Sequence, residues 1–433
     1  MIWILYNLLF PIAFLLLLPK FLSRMARRGG YKKHFEQRFG VYGHGTAARL
    51  ADGAHIWIHA VSVGEINIAL GFIDAYREKN PDALFVLSTN TSTAHAIGKE
   101  KLAACDVLIY FPLDMPFIMK KAFNAIHPLK LILVECEIWP NLIREANRRG
   151  IPVALINGRI SDSSFRGYSK LRAFIRCLLP MIDPICVQGR QDAERMLAMG
   201  ARPETVKTLG TAKYDLPLPA VDADAPARAV LQQAGVPSDA LILLGGSTWP
   251  GEEEALCTIY KTLREKHPEL FLVLVPRHAE RRDEVVSAIE GQGLTCSLRS
   301  QGASSADVLV IDTTGELMSF YAAADVVFVG KSLCEHGGQN PIEPALFGKP
   351  IVVGPNMENF PSVMDDFLSA NALRQVDSFP PTPEGLRQAS QALEKTLSDL
   401  LDDPSAREQL GASAAQLVET RRGAIDRMVQ EVG

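Results

Sequence analysis

The sequence predicts an α/β protein of two doubly wound halves, joined by a short connection and preceded by an apolar N-terminal segment. Three observations predict it. The 433 residues are too many for one ordinary hydrophobic core. Short β-rich apolar runs alternate with amphipathic stretches on both sides of a break rich in Pro, Ala and Asp. Residues 1–19 are almost uncharged and are followed at once by a cationic stretch.

The N-terminal segment carries Trp3 and Tyr6 near one end and four consecutive leucines, Leu15 to Leu18, near the other. Its cations, Lys20, Arg24, Arg27, Arg28, Lys32, Lys33 and Arg38, come after the apolar run. A cleaved signal peptide would carry its charge before that run and a small-residue cleavage site after it, and neither is present. Roughly 20 apolar residues span a bilayer, so residues 1–19 are expected to be a single membrane anchor, with the charges holding the rest on the cytoplasmic side. Pro11 also permits an interfacial helix, and a third reading is a buried helix packed on the body. The anchor is preferred because a core helix of this length usually shows a polar stripe. A basic juxtamembrane segment over 20–53 follows.

The first half is expected over 54–215. Its strand candidates are 55–59, 84–87, 107–110, 131–134, 152–156 and 184–187, with helical stretches between them such as 66–78 and 140–149. A linker over 216–228 leads to the second half, 229–433, with strand candidates 241–244, 271–275, 308–311, 326–329 and 350–353. Helical segments including about 405–432 close the chain, the last of them able to pack back on the first half. Two such halves facing one another place a ligand in a central cleft at the carboxyl ends of their strands.

Composition narrows the classes. A formal charge of -4 gives no global reason to expect nucleic-acid binding. The seven cysteines are dispersed without a CxxC pair, which argues against a disulfide framework or a zinc site, and Cys136 and Cys334 read as packing residues. Neither GxxxxGK[ST] nor a GxGxxG after a strand is present, so a P-loop kinase or a conventional dinucleotide-dependent dehydrogenase is not expected.

The unusual residues cluster where strands should end. In His59-Ala-Val-Ser-Val-Gly-Glu65, Glu65 opens a helix, where it either accepts a proton from a bound hydroxyl or serves the helix dipole. Glu135-Cys-Glu137-Ile-Trp-Pro-Asn141 sets two carboxylates at a strand terminus, a placement that suggests perturbed acidity, the alternative being a solvated loop. Asn157-Gly-Arg159-Ile-Ser161 offers a cation and a hydroxyl for an anionic ligand, or a cap for the next helix. Lys213 ends the first half and suits a departing phosphate, although a lone lysine is usually surface decoration.

In the second half Gly245-Gly-Ser-Thr-Trp-Pro-Gly-Glu252 reads as a strand-to-helix turn offering N-H groups to an anion. Pro276-Arg277-His278 places a phosphate-binding cation after a strand, with His278 structural. Gly315-Glu316-Leu317 marks a helix start. In the segment from Gly330 to Pro344, Asn340 reads as an N-cap, Pro341 and Ile342 as the first helical positions, and Glu343 as a carboxylate for the two hydroxyls of a ribose. Gly337 and Gly338 would let a ligand approach that helix end.

In combination, the anchor, the basic segment, SVGE, the doubled-Glu WPN element, the NGR turn, PRH, GEL and the GGxNPxEP loop resemble the 3-deoxy-D-manno-octulosonic acid (Kdo) transferases over nearly the full chain. The resemblance implies a GT-B fold and an inverting transfer of Kdo from CMP-Kdo to a lipid A precursor, lipid IVA, in lipopolysaccharide biosynthesis. The site would lie on the cytoplasmic face of the inner membrane. It makes Glu65 the general base and Glu135 and Lys213 the transition-state stabilisers. It places CMP against Pro276, Arg277, Gly315, Glu316, Leu317, Asn340, Pro341, Ile342 and Glu343. Ser62, Gly64, Glu137 and Arg159 become candidates for the acceptor. The partners implied are donor, acceptor and inner-membrane lipids; no metal, cofactor or nucleic acid is expected, because Arg, Lys and a helix N-terminus can neutralise one departing phosphate. Lys331 departs from the family pattern, where a second glycine is common. The alternative is another GT-B enzyme, a UDP-sugar glycosyltransferase or sugar-nucleotide epimerase.

Overall fold

The structure, a computed structural model, describes residues 3–12, 14–16, 34–380 and 382–433. The chain divides into two compact units, one of residues 1–215 and 423–433, the other of residues 216–422. The cationic run from Lys20 to Lys33, and with it part of the expected anchor, lies outside the described residues.

The first unit is built on strands β1 (His55–His59), β2 (Leu84–Thr89), β3 (Val107–Tyr110), β4 (Lys130–Val134), β5 (Val153–Gly158), β6 (Ile185–Val187) and β7 (Val206–Thr208). They form one parallel sheet in the order β3-β2-β1-β4-β5-β6-β7. Both faces are buried, so the strands read as near-continuous apolar runs. Trp57, Val86, Leu131 and Leu155 join one core cluster, while Ile58, Leu87, Ile132 and Ile156 join the cluster on the other face. The final helix, Ala424–Val432, packs in the second of these clusters. Asp215 caps that helix, accepting the N-H groups of Gly423 at 2.6 Å and Ile425 at 2.7 Å.

The second unit repeats the plan with β8 (Leu241–Thr248), β9 (Leu270–Pro276), β10 (Cys296–Leu298), β11 (Val308–Val310), β12 (Val326–Val329), β13 (Ile351–Val353) and β14 (Arg374–Gln375), in the order β10-β11-β9-β8-β12-β13-β14. Strand order therefore reverses between β1 and β4 in one sheet and between β8 and β12 in the other. Ligands of doubly wound sheets settle beside such switch points, at the carboxyl ends.

Four sequence expectations change. The linker is shorter than 216–228, because residues 225–228 already belong to the helix Ala225–Gln233. The closing helical stretch is two helices, Pro404–Arg421 and Ala424–Val432, broken at Gly423, which sits at φ +80°. Gly245 and Gly246 lie inside β8, not in a turn; a Cβ on Gly246 would approach the Tyr321 ring to 2.7 Å, so the glycine makes room for an aromatic. Arg38, counted with the membrane-facing cations, is buried: it donates to the Asn90 carbonyl at 2.8 Å and lies 4.9 Å over the Tyr110 ring.

Residues 3–12 and 14–16 are helical. One side of this helix packs on the first unit: Trp3 meets Phe174 edge-on at 5.3 Å, Tyr6 donates to Asp114 Oδ2 at 2.8 Å, and Asn7 Oδ1 accepts from Asn141 Nδ2 at 2.8 Å. The other side leaves Ile4, Leu5, Leu8, Leu9, Ile12, Leu15 and Leu16 exposed. Among the described residues no helix is long and apolar enough to cross a membrane.

Candidate active site

In the first unit the unusual residues converge at the carboxyl edge of the sheet. Ser62 and Glu65 follow β1, Glu135 and Glu137 follow β4, Asn157 ends β5, and Lys213 lies just beyond β7. Ser62 is the N-cap of the helix Val63–Lys79, its hydroxyl accepting the Glu65 N-H at 3.3 Å, while Glu65 Oε2 reaches back to the Val61 N-H at 2.8 Å. These two bonds fix the Glu65 carboxylate, which is buried, at the helix start. Gly64 is exposed, and a Cβ there would meet only the Ser62 hydroxyl, at 3.9 Å, so protein packing does not require a glycine at that position.

Glu135 takes a left-handed backbone conformation, φ +58°, at the end of β4. Only a local constraint keeps a non-glycine residue there. Burial raises its pKa, and the neighbouring Lys213 ammonium counters that rise. Lys213 is in turn pushed down to about 8, by burial first, with Glu135 opposing the fall and Arg159 adding to it. The two form one electrostatic unit.

Glu137 is pushed up to about 7, by burial and then by the charge of Glu65. Its Oε2 accepts the Trp139 indole N-H at 2.8 Å and stands 3.7 Å from His59 Nε2. His59 is fully buried and stacked on Phe111 at 3.9 Å between ring centroids, and burial holds its pKa at about 3. Its Nδ1 lies 2.9 Å from the Ser88 hydroxyl and 3.1 Å from the Ser88 carbonyl, which hold the ring with Nε2 toward Glu137. In the NGR turn Ser161 is a cap, accepting from Ser164 N at 3.2 Å, and Arg159 acts electrostatically on both Glu135 and Lys213.

In the second unit Pro276 ends β9, Arg277 is exposed beyond it, and Glu343 is pushed up by burial, with Asn340 and Arg277 opposing. Asn340 Nδ2 donates to Glu343 Oε1 at 3.3 Å, and its Oδ1 accepts the Ile342 N-H at 3.2 Å. The helix there is only Ile342–Ala345, so Asn340 caps it across Pro341 and the expected helix end is a single turn. Gly337 and Gly338 answer to loop packing: a Cβ on either would strike Asn359 or Met357 within 2.4 Å. Glu316 accepts from Thr313 and from Arg299 Nε at 3.1 Å, beside Gly315 at φ +89°.

Sequence reasoning gave no role to four residues that hold these loops. Asn157 accepts from Ala212 N and donates to Glu135. His59 backs Glu137. Asp114 accepts Tyr6 and the N-H groups of Asn141 and Leu142, which start the helix after Glu135. Glu252, fully buried, accepts the N-H groups of Lys331, Ser332 and Leu333 and also that of Trp249, which belongs to the turn expected to offer N-H groups to an anion. Lys331 adopts φ +58°, a backbone conformation that favours glycine, and its ammonium lies 4.4 Å over the Trp249 ring.

The Anabaena protein Alr3699/HepE, solved with UDP, superposes with a TM-score of 0.58 over 87% of this chain and 98% of its own, and at 14% identity shows likeness of fold. Two doubly wound units with their polar residues at the strand ends thus resemble the GT-B glycosyltransferases. The family described as "3-Deoxy-D-manno-octulosonic-acid transferase (kdotransferase)" matches residues 33–216. The 3-deoxy-D-manno-octulosonic acid transferase of Bordetella pertussis is 33% identical over 421 residues, covering 93% of this chain and 92% of the relative. That of Haemophilus influenzae is 30% identical over 407 residues, covering 92% and 90%. The chain belongs to the Kdo transferase family, and it is a glycosyltransferase that transfers Kdo in lipopolysaccharide biosynthesis. Family membership decides against the UDP-sugar enzymes considered above.

Proposed function

We propose that the chain transfers Kdo from CMP-Kdo to a hydroxyl of the lipid A precursor lipid IVA, with inversion, at the cytoplasmic face of the inner membrane. The acceptor O-H loses its proton to Glu65 as its oxygen attacks the anomeric carbon of Kdo. The bond from that carbon to the phosphate oxygen breaks, and CMP leaves with the electron pair. Glu135 and Lys213 stabilise the charge that redistributes in the transition state, the lysine still protonated at neutral pH. CMP is assigned to Pro276, Arg277, Gly315 to Leu317 and Asn340 to Glu343, with Glu343 receiving the ribose. Ser62, Gly64, Glu137 and Arg159 are assigned to the acceptor. Ile4, Leu8, Ile12, Leu15 and Leu16 on the exposed side of the N-terminal helix are assigned to the lipid surface.

The observation that carries this reading is the convergence of Glu135 with the turn that bears Lys213, tied through Asn157 at the strand ends, beside the buried carboxylate of Glu65 held by the Val61 N-H. The test is transfer from freshly generated CMP-Kdo to tetra-acylated lipid A precursor, read by mass spectrometry. Glu65→Gln keeps an oxygen for the Val61 N-H but takes no proton, so a folded variant should lose about 10²- to 10⁴-fold in kcat. Retained activity would remove Glu65 from the role of base. Competition by CMP and not by UDP checks the donor, and the product mass counts the sugars added.

A further inference from the structure

We propose that the apolar pocket beneath the N-terminal helix takes one acyl chain of the acceptor and so holds the sugar end of that lipid against the strand end that carries Glu135. This deepens the acceptor assignment above and rests on it.

The pocket has a volume of about 490 Å³, within the range of sites built for small ligands. It is lined by Leu5 and Leu9 of the N-terminal helix, by Leu171 and Phe174, and by the segment from Cys136 to Pro140. One of these lining residues, Glu137, feels the charges of Glu65 and Glu135, so the pocket borders the candidate site. Hydrogen bonds hold the elements around it: Tyr6 to Asp114, Asn7 to Asn141, and the Trp139 indole to Glu137, which lowers the cost of ordering a bound chain.

The rim is unexplained by folding. Leu5, Leu9 and Leu171 are 56%, 54% and 58% exposed, and the neighbouring Leu8, Ile12 and Leu16 extend the same bare surface along the helix. Contiguous apolar surface of this kind marks a binding face. Lipid fits it better than a peptide, because a peptide's N-H and C=O groups would find few partners among these walls and each unmade bond is costly, whereas an acyl chain carries no such groups. The carboxyl of Glu137, the acidic group of the lining, is partly neutral at physiological pH, which lowers its conflict with hydrocarbon.

The experiment compares the intact chain with Leu171→Asp, a change at a rim position that is 58% exposed, its folding checked by circular dichroism. The two acceptors are tetra-acylated lipid A precursor and its fully deacylated disaccharide, both in detergent. The expected result is that the ratio of kcat/KM for the acylated over the deacylated acceptor falls about tenfold in the variant, through KM. An unchanged ratio overturns the proposal. In parallel, a diazirine-bearing C14 fatty acid should label Trp139 or Phe174 of the intact chain and label Leu171→Asp less; absence of label in the pocket of the intact chain also overturns it. If the intact chain is labelled there yet transfers Kdo to neither acceptor, the lipid pocket stands and the acceptor assignment falls.

Discussion

The carboxamide of Asn157 accepts the Ala212 N-H at 3.0 Å and, from its other end, donates to Glu135 Oε1 at 3.4 Å. One side chain thus spans the strand end that bears Glu135 and the turn that bears Lys213. Its own backbone is left-handed, φ +52°, a conformation in which asparagine is tolerated far better than alanine. We predict that Asn157→Ala lowers kcat about tenfold or more and destabilises the fold by about 2 kcal/mol, from strain and two lost hydrogen bonds. Urea unfolding and steady-state kinetics on the same preparation check both parts.

Lys213 is held down to about 8, so its ammonium is present below that pH and disappears as pH rises through it. The prediction is a kcat/KM that falls on the alkaline side with an apparent pKa near 8. Glu135 is the neighbour that raises the lysine, so Glu135→Gln should move that limb to lower pH, and Lys213→Ala should abolish it. A limb unmoved by Glu135→Gln would show that the two groups are not coupled.

Glu137 behaves oppositely, as a carboxyl pushed up to about 7 from an ordinary value of 4.5. Between those values the folded chain holds a proton that the unfolded chain has lost, so this residue's contribution to stability falls as pH rises from about 4.5 to 7 and stays low above. Glu137→Gln keeps an acceptor for the Trp139 indole and removes the penalty. We expect it to stabilise the protein by about 1–3 kcal/mol at pH 8 and by little at pH 4.5, measured by urea unfolding at the two values.

Arg277 is exposed and acts on Glu343. If it binds the CMP phosphate, Arg277→Ala should weaken inhibition by CMP about 10- to 100-fold, the worth of a charge-assisted hydrogen bond, with little loss of stability. Glu343→Gln should weaken CMP and leave binding of cytidine 2′,3′-dideoxynucleotide unchanged, which separates a ribose contact from a general loss of the loop.

The sequence by itself determined the two α/β units, because strands buried on both faces must be apolar throughout and such runs are plain to read. It missed β7, β10 and β14, edge strands of two or three residues with sequences VKT, CSL and RQ, whose pairing comes from the neighbouring strand and not from their own pattern. Motifs at the strand ends were legible for the same reason: a polar residue directly after an apolar run marks the carboxyl edge of the sheet. What those residues touch was decided only by the tertiary structure. Glu135 and Lys213 are far apart in sequence, and their coupling follows from the turn after β7 returning to the end of β5, where Asn157 ties Ala212 beside Glu135. Likewise the glycines of β8 and of the loop after β12 serve Tyr321, Met357 and Asn359, partners that no local pattern names. The N-terminal segment is the clearest case. Its apolar composition was evident from residue types, but its division into a face that packs on Phe174 and Asp114 and a face left bare depends on side chains more than a hundred positions away.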